Sequence, residues 1–378
     1  MVKINSDKTF LFFLILLSVL GLLVFSSASM GVLVKNWDGF EKIILKQVLL
    51  GIVFGWIVLI FISRINYKKW YKPSALIFIV SIILSSLVFI PGIGMRSGGA
   101  NRWIDLGFTT FQPSEFLKFG FVLFLAAYFY FIKEDIKTFK YGFLLSSVIL
   151  AIPVFLLYKQ PDLGTLLSIV CTFLMMFLIA GCKKIHFFYF LLLGILMVAL
   201  WAYTRPYAMD RIKTFLDPSQ DKLDTSYHIN QSLIAIGSGK ILGKGFGQSV
   251  QKFSFLPEPM GDSVFAVASE EFGFLGSCSI VLIFLFLGLR GLKIASRAND
   301  SFGRLLTVGI ITLIISQSFI NMGVTMGIVP FTGIPLIFLS QGGSALFVTL
   351  MEMGIVLNIS KHQNQLSTQT QTPLKKLK

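Results

Sequence analysis

Four carboxylates crowd one short stretch of a chain that is otherwise poor in them. Glu258, Asp262, Glu270 and Glu271 fall close together, whereas all 378 residues hold only 18 Asp and Glu against 33 Lys and Arg. Asp262 stands where a long polar loop meets an apolar run, and an acid at such a rim has the chemistry of a general base acting on a membrane-borne substrate. The same position also suits an interfacial acid that only pairs a neighbouring Lys or Arg, and position alone leaves both readings standing. A second group lies in a Gly-rich stretch at about 92–114, with Arg96, Arg102, Trp103 and Asp105, closing on Phe111-Gln112-Pro113-Ser114-Glu115. Pro113 and Ser114 mark a helix start, which puts Glu115 and Lys118 one turn apart on one face. Lys118 then either offers positive charge to a phosphate or serves only as a structural partner of Glu115. A third group, Gly237-Ser238-Gly239-Lys240-Ile241-Leu242-Gly243-Lys244-Gly245, looks like a P-loop but lacks its first Gly and the Ser or Thr after the Lys. Its backbone N–H groups with Lys240 and Lys244 suit a pyrophosphate cup, and equally a solvated turn.

The elements that must position these residues are membrane helices. Hydrophobic residues make up 55% of the chain, 39 of them Phe, and mean hydropathy is +0.79, too little polar surface for a soluble protein of this size. Apolar runs long enough to span occur at about 9–29, 45–63, 74–91, 115–132, 141–157, 162–180, 186–203, 264–289, 305–328 and 334–358. They predict an all-α polytopic membrane protein of about ten transmembrane helices, since the runs lack the alternation of barrel strands. One membrane domain covers 1–360, with outer loops at about 92–114 and 204–263, the larger lying between spans 7 and 8. Within the larger loop, the apolar residues from Ile229 to Ile236 predict a short amphipathic helix at the outer interface, followed by a Gly-shaped turn. Residues 361–378, rich in Gln, Thr and Lys, read as a disordered cytoplasmic tail.

Lys and Arg concentrate in the loops that are internal if the chain starts inside, which places both termini in the cytoplasm. That topology accounts for the net charge of +15 without nucleic-acid binding. The amino-terminal apolar run resembles a signal peptide but is too long for one and is kept as the first span. Cys171, Cys182 and Cys278 show no disulfide or zinc spacing, and His186, His228 and His362 show no metal-ligand pattern. Ionisable residues inside spans, Glu115, Lys118, Glu270, Glu271 and Glu352, must face a cavity or a partner. For Glu271 and Glu352, contact between helices is the favoured reading over catalysis.

Five ordered motifs carry a resemblance over nearly the whole chain. They are Ser26-Ser27-Ala28-Ser29; Gly99-Ala100-Asn101-Arg102-Trp103-Ile104-Asp105-Leu106-Gly107 with Phe111-Gln112-Pro113-Ser114-Glu115 and Lys118; Gln160-Pro161-Asp162-Leu163-Gly164-Thr165; the Asp262 run; and Gly333-Ile334-Pro335-Leu336 with Gly342-Gly343-Ser344. The chain resembles the SEDS family, the group of FtsW, RodA and SpoVE, and the first two motifs lean toward the FtsW division branch. The resemblance implies a peptidoglycan glycosyltransferase of the bacterial plasma membrane that polymerises lipid II on the outer face, with a class B penicillin-binding protein as partner. It carries the family aspartate onto Asp262 and marks Arg102, Glu115 and Lys118, then Glu258 and Glu271, as sensitive positions. Trp103, Asp105, Gln112, Glu270, Gly342, Gly343 and Ser344 are expected to support them. No cofactor is called for, and a divalent cation is left open. Two departures stand out: the usual His-Thr before the aspartate is Met260-Gly261, and the usual aromatic before Gly-Gly-Ser is Gln341. The first leaves a mechanism with an imidazole beside Asp262 without its residue. A lipid II flippase and a scaffold that only positions a transpeptidase are the rival functions. A flippase requires polar groups along a full path, whereas those here gather toward the outer side.

Overall fold

A computed structural model of the chain describes residues 6–33, 41, 43–97, 100–105, 107, 110–204, 209, 211, 215 and 225–363. Its principal helices are α1 (Lys8–Leu33), α2 (Ile43–Ile62), α3 (Ser74–Ser86), α4 (Pro113–Phe131), α5 (Phe139–Lys159), α6 (Leu163–Ile179), α7 (Lys184–Thr204), α8 (Thr225–Ser238), α9 (Val264–Ser296), α10 (Ser301–Thr325) and α11 (Gly343–His362). The polytopic helical architecture is as expected. Among the described residues seven helices are long and apolar enough to cross a membrane, namely α1, α2, α4, α5, α9, α10 and α11; the apolar stretches Ser74–Phe89, Leu163–Ile179 and Lys184–Met197 are shorter. Helix α11 runs to His362, so it takes in the first residues of the stretch read as a tail. The rest of that stretch, from 364, and most of 205–224 lie outside the described residues.

Burial sorts the helices. The apolar windows of α4, α10 and α11 are 78%, 72% and 83% buried, whereas those of α1, α2 and α9 are 33%, 22% and 28% buried. The first three therefore form the centre: α4 and α6 pack on α10, α2 packs on α11, and α3 and α9 pack on α4 and α10. Helices that are apolar on every side belong either in such a centre or against lipid. The central three carry Glu115, Lys118, Gln317, Asn321 and Glu352, each at most 3% exposed, because lipid leaves a polar group unpaired.

Two features were not expected. The loop expected at about 92–114 is a small antiparallel sheet, β1 (Gly94–Ser97), β2 (Ala100–Asp105) and β3 (Thr110–Phe111), in the order β1-β2-β3. Met95 pairs with Trp103 and Ile104 with Phe111, with a register irregularity between Met95 and Arg96. Gly99 and Leu106 of the motif lie outside the described residues. The second feature is a break in α9 at Gly273 (φ 65°, ψ −164°), inside what reads as one continuous span. The Gly-bent segment after α8 docks into this break. Phe274 N–H donates to Lys240 O (2.8 Å), Leu275 N–H to Ile241 O (3.2 Å), Lys244 N–H to Glu270 O (3.0 Å) and Gly245 N–H to Glu271 O (3.0 Å). Backbone groups released by the break are thus paired by another segment, as a low-dielectric setting demands.

Candidate active site

A cavity of about 660 Å³ opens where seven segments meet. Helix α2 contributes Ile43, Lys46, Gln47, Leu50 and Phe54, and the sheet contributes Met95, Arg102, Trp103, Thr110 and Phe111. Gln112 and Glu115 come from the start of α4, Asp162 and Thr165 from the start of α6, and Glu258, Gly261 and Asp262 from the loop before α9. Gly333, Ile334 and Pro335 form one wall, and the segment Gln341-Gly342-Gly343-Ser344 with Ala345 and Phe347 closes it. The carboxylate at the loop-to-helix junction therefore shares one space with motifs far from it in the chain. Residues Lys46–Val53 are wound as a π-helix, an irregularity often found at functional sites.

The loop bearing Asp262 is fixed from three sides. Asn321 of α10, 1% exposed, donates from Nδ2 to Asp262 O (2.8 Å) and to Ile334 O (2.7 Å). Ser340 Oγ donates to Gly261 O (2.5 Å), and Gln341 N–H to Met260 O (2.7 Å). Gln47 of α2 clamps the same wall, donating from Nε2 to Ser340 O (3.1 Å) and accepting at Oε1 from Gly342 N–H (3.0 Å). Of these anchors the sequence drew notice only to Gln341, as a departure from the motif, and not to Asn321, Ser340 or Gln47. A buried Asn or Gln in an apolar run was the available signal.

An imidazole does stand beside Asp262, which corrects the expectation drawn from Met260-Gly261. His228 of α8 places Nε2 3.4 Å from Asp262 Oδ1 and 3.3 Å from Ser263 Oγ. Its ring packs on Phe331 (centroids 4.6 Å apart), and the Arg211 guanidinium stacks on that phenyl ring at 4.7 Å while Arg211 Nη1 donates to Phe331 O (2.9 Å). Glu258, also in the cavity, has a left-handed backbone (φ 44°) that is uncommon outside Gly. Burial first, and then the Asp262 charge, push its carboxyl above the ordinary carboxylate range, with His228 opposing them.

The cations divide differently from expectation. Arg102 lines the cavity, its Nε donating to Gln160 O (3.0 Å) and its Nη2 to Pro161 O. Lys46, not singled out from sequence, also lines it. Lys118 instead lies below the floor, paired with Glu115 (2.8 Å) and donating to Gln317 Oε1 (2.5 Å) in a closed space shared with Glu352. Lys244 is paired with Glu270 (2.5 Å), and neither Lys240 nor Lys244 reaches the cavity lining. The Gly-bent segment gives N–H groups to α9 rather than to a phosphate. Glu271 bonds Lys252 (2.7 Å) and accepts from Ser27 Oγ (2.5 Å), which joins α1, α9 and the loop before α9. Asp105 accepts from Gly107 N–H (2.8 Å) and shapes the turn after β2. Asp162 caps α6, accepting at Oδ1 from Thr165 N–H (3.1 Å). Among the described residues no group of three or more His, Cys, Asp or Glu forms a metal site.

Fold and site together define a multi-pass membrane protein with a carboxylate-bearing cavity at one end of its helix bundle. The pattern defining the family described as "Cell cycle protein", that of FtsW, RodA and SpoVE, matches residues 7–365, and the chain belongs to that family. It is 38% identical to stage V sporulation protein E of Bacillus subtilis over 361 residues, 95% of this chain and 98% of that one. It is also 38% identical over 338 residues, 89% of this chain and 90% of the relative, to the protein of Geobacter metallireducens named "Probable peptidoglycan glycosyltransferase FtsW". In fold it resembles a chain solved under the description "Structural coordination of polymerization and crosslinking by a peptidoglycan synthase complex" (TM-score 0.76, 24% identity, 96% of this chain and 99% of that one). It likewise resembles the rod shape determining protein RodA of Thermus thermophilus (TM-score 0.69, 22% identity, 96% and 98% covered).

Proposed function

We propose that this protein is a peptidoglycan glycosyltransferase that polymerises lipid II on the outer face of the bacterial plasma membrane, with both termini in the cytoplasm. The observation that carries the reading is the Asp262 carboxylate inside a cavity that also holds Arg102 and Lys46 and is walled on one side by Ile43, Leu50 and Phe54 of α2. Such a space matches an amphipathic donor: disaccharide toward the carboxylate, pyrophosphate toward the cations, and lipid tail along the apolar wall.

In the reaction the 4-hydroxyl of an acceptor GlcNAc attacks the anomeric carbon of the lipid-linked sugar. The new C–O bond forms as the bond to phosphate breaks, and the electron pair leaves with the pyrophosphate. Asp262 takes the hydroxyl proton. Arg102 and Lys46 stabilise the charge growing on the leaving group, a role for which Lys118 is too deeply buried. One base acting in direct displacement inverts the anomeric centre, by analogy with inverting glycosidases. Glu115, the floor between the cavity and Lys118, orients the sugar, and Glu258 adds a second acid to that wall.

The polar cluster beneath Glu115 is packed too tightly to admit a water molecule. A flippase needs a continuous polar path there, so polymerisation is the better reading. A class B penicillin-binding protein is the proposed partner, in keeping with a structural neighbour described as part of a synthase complex for polymerization and crosslinking. Purified protein given labelled lipid II is expected to make glycan chains, and Asp262→Asn to lose at least a hundredfold in rate, the weight of a positioned base. Equal product from both proteins would remove Asp262 from the mechanism.

A further inference from the structure

We propose that His228 is a positioning residue that holds one oxygen of Asp262 and so presents the other to the acceptor hydroxyl. The inference rests on Asp262 being the base, and it begins with a proton count at Ser263. That hydroxyl has one hydrogen, which it donates to Pro257 O (2.9 Å). Toward His228 it therefore has only lone pairs to offer, so the hydrogen between Ser263 Oγ and His228 Nε2 (3.3 Å) belongs to the imidazole. His228 Nε2 itself stands 3.4 Å from Asp262 Oδ1, an ion-pair contact to a buried atom with no hydrogen-bond partner among the described residues. Oδ2 lies on the Gly333 side, 3.7 Å from where a Cβ on that residue would stand, and Gly333 lines the cavity.

The two carboxylate oxygens are thereby made unequal. Oδ1 is turned inward to an N–H, and Oδ2 is open to substrate. Phe331 fixes the tilt of the imidazole by ring contact (4.6 Å, 58°), so the donor direction does not drift. During transfer the acceptor hydroxyl proton passes to Oδ2, the glycosidic bond forms at the anomeric carbon, and the bond to the pyrophosphate oxygen breaks with its electron pair. His228 keeps its Nε2 hydrogen throughout and exchanges nothing with substrate. Its neighbours of opposite and like charge are Asp262, Glu258 and, across the Phe331 ring, Arg211.

The experiment measures glycan polymerisation from lipid II by the full chain, with its penicillin-binding partner where activity requires one. His228→Ala should lower turnover about tenfold to a hundredfold, the effect of losing a close, partly desolvated imidazole–carboxylate contact, with the apparent KM for lipid II unchanged. His228→Gln, which restores a side-chain N–H, should return turnover to within about threefold of wild type. His228→Leu refills the space without a donor and should match Ala, and it serves if the Ala variant does not purify. Wild-type turnover in Ala or Leu, a Gln variant as slow as Ala, or a loss expressed only in KM would each overturn the proposal. Asp262→Asn separates the two levels. If it is inactive while His228→Ala is unimpaired, only the role of His228 falls, whereas full activity of Asp262→Asn removes the parent reading.

Discussion

Among single residues, Asp262, Arg102, Trp103, Gln112, Glu115, Glu258 and Gly342 to Ser344 were all legible as site residues and all meet in one cavity. Lys46 and His228 were not, because nothing in their immediate sequence distinguishes them from residues of an ordinary span or loop, and Asn321 offered only the signal of an amide in an apolar run. Their roles come from what lies across a gap. Glu258 has a consequence that titration can read. Its folded-state carboxyl is raised above the ordinary 4.5, chiefly by burial and then by the Asp262 charge. A raised value means that the folded protein favours the protonated form. The stabilising contribution is therefore complete below the unfolded value and is lost as pH rises through the folded one. Glu258→Gln removes that loss, so it should melt above wild type near pH 7, with the gap closing as pH falls toward 4. A gap of constant size across that range would exclude the burial effect as its cause.

At the level of elements, hydropathy located the helical runs but treated α9 as unbroken. Both sides of Gly273 are apolar and helix-compatible, so composition hides the break. Its cause is the approach of the 240–245 segment, where Gly243 and Gly273 lie so close that a Cβ on either would overlap the other's backbone. Gly273 also sits at φ 65°, a region that L side chains resist. Gly273→Ala should therefore destabilise the protein by about 1–3 kcal/mol from backbone strain alone, with the overlap adding to it. Thermal melting of detergent-purified protein checks this, and a midpoint equal to that of wild type would contradict the docking described here. The sheet escaped notice for a related reason: its strands are short and lack the apolar alternation that marks a strand in sequence.

For the molecule as a whole, α1, α9 and the loop before α9 are tied together by a buried ionic contact that the mechanism does not use. Lys252 and Glu271 have side chains 0% and 1% exposed, and Lys252 Nζ also donates to Ser27 Oγ (2.8 Å) and Gly247 O (2.9 Å). One lysine thus connects α1, α9 and the long loop before α9. Removing one partner leaves the other charge buried and unpaired, so Lys252→Ala should cost about 3–5 kcal/mol. Lys252→Met combined with Glu271→Leu should recover much of that loss, since an apolar pair of similar volume carries no desolvation penalty. Melting temperatures of the single and double variants provide the measurement. A single variant as stable as wild type would show that the knot contributes nothing.

Membrane residence, helical character, family membership and the presence of an acid at the rim were all determined by the sequence alone, because hydropathy, motif order and scarcity of acids are properties of a chain read along its length. Only the tertiary structure decided which cations face the cavity, which are absorbed by Glu115, Glu270 and Glu271, and that an imidazole from α8 replaces the one missing at position 260. Those outcomes depend on which segments approach through space within a few ångströms. In a bundle that excludes water, each buried charge must find its partner among whatever segments the packing brings near.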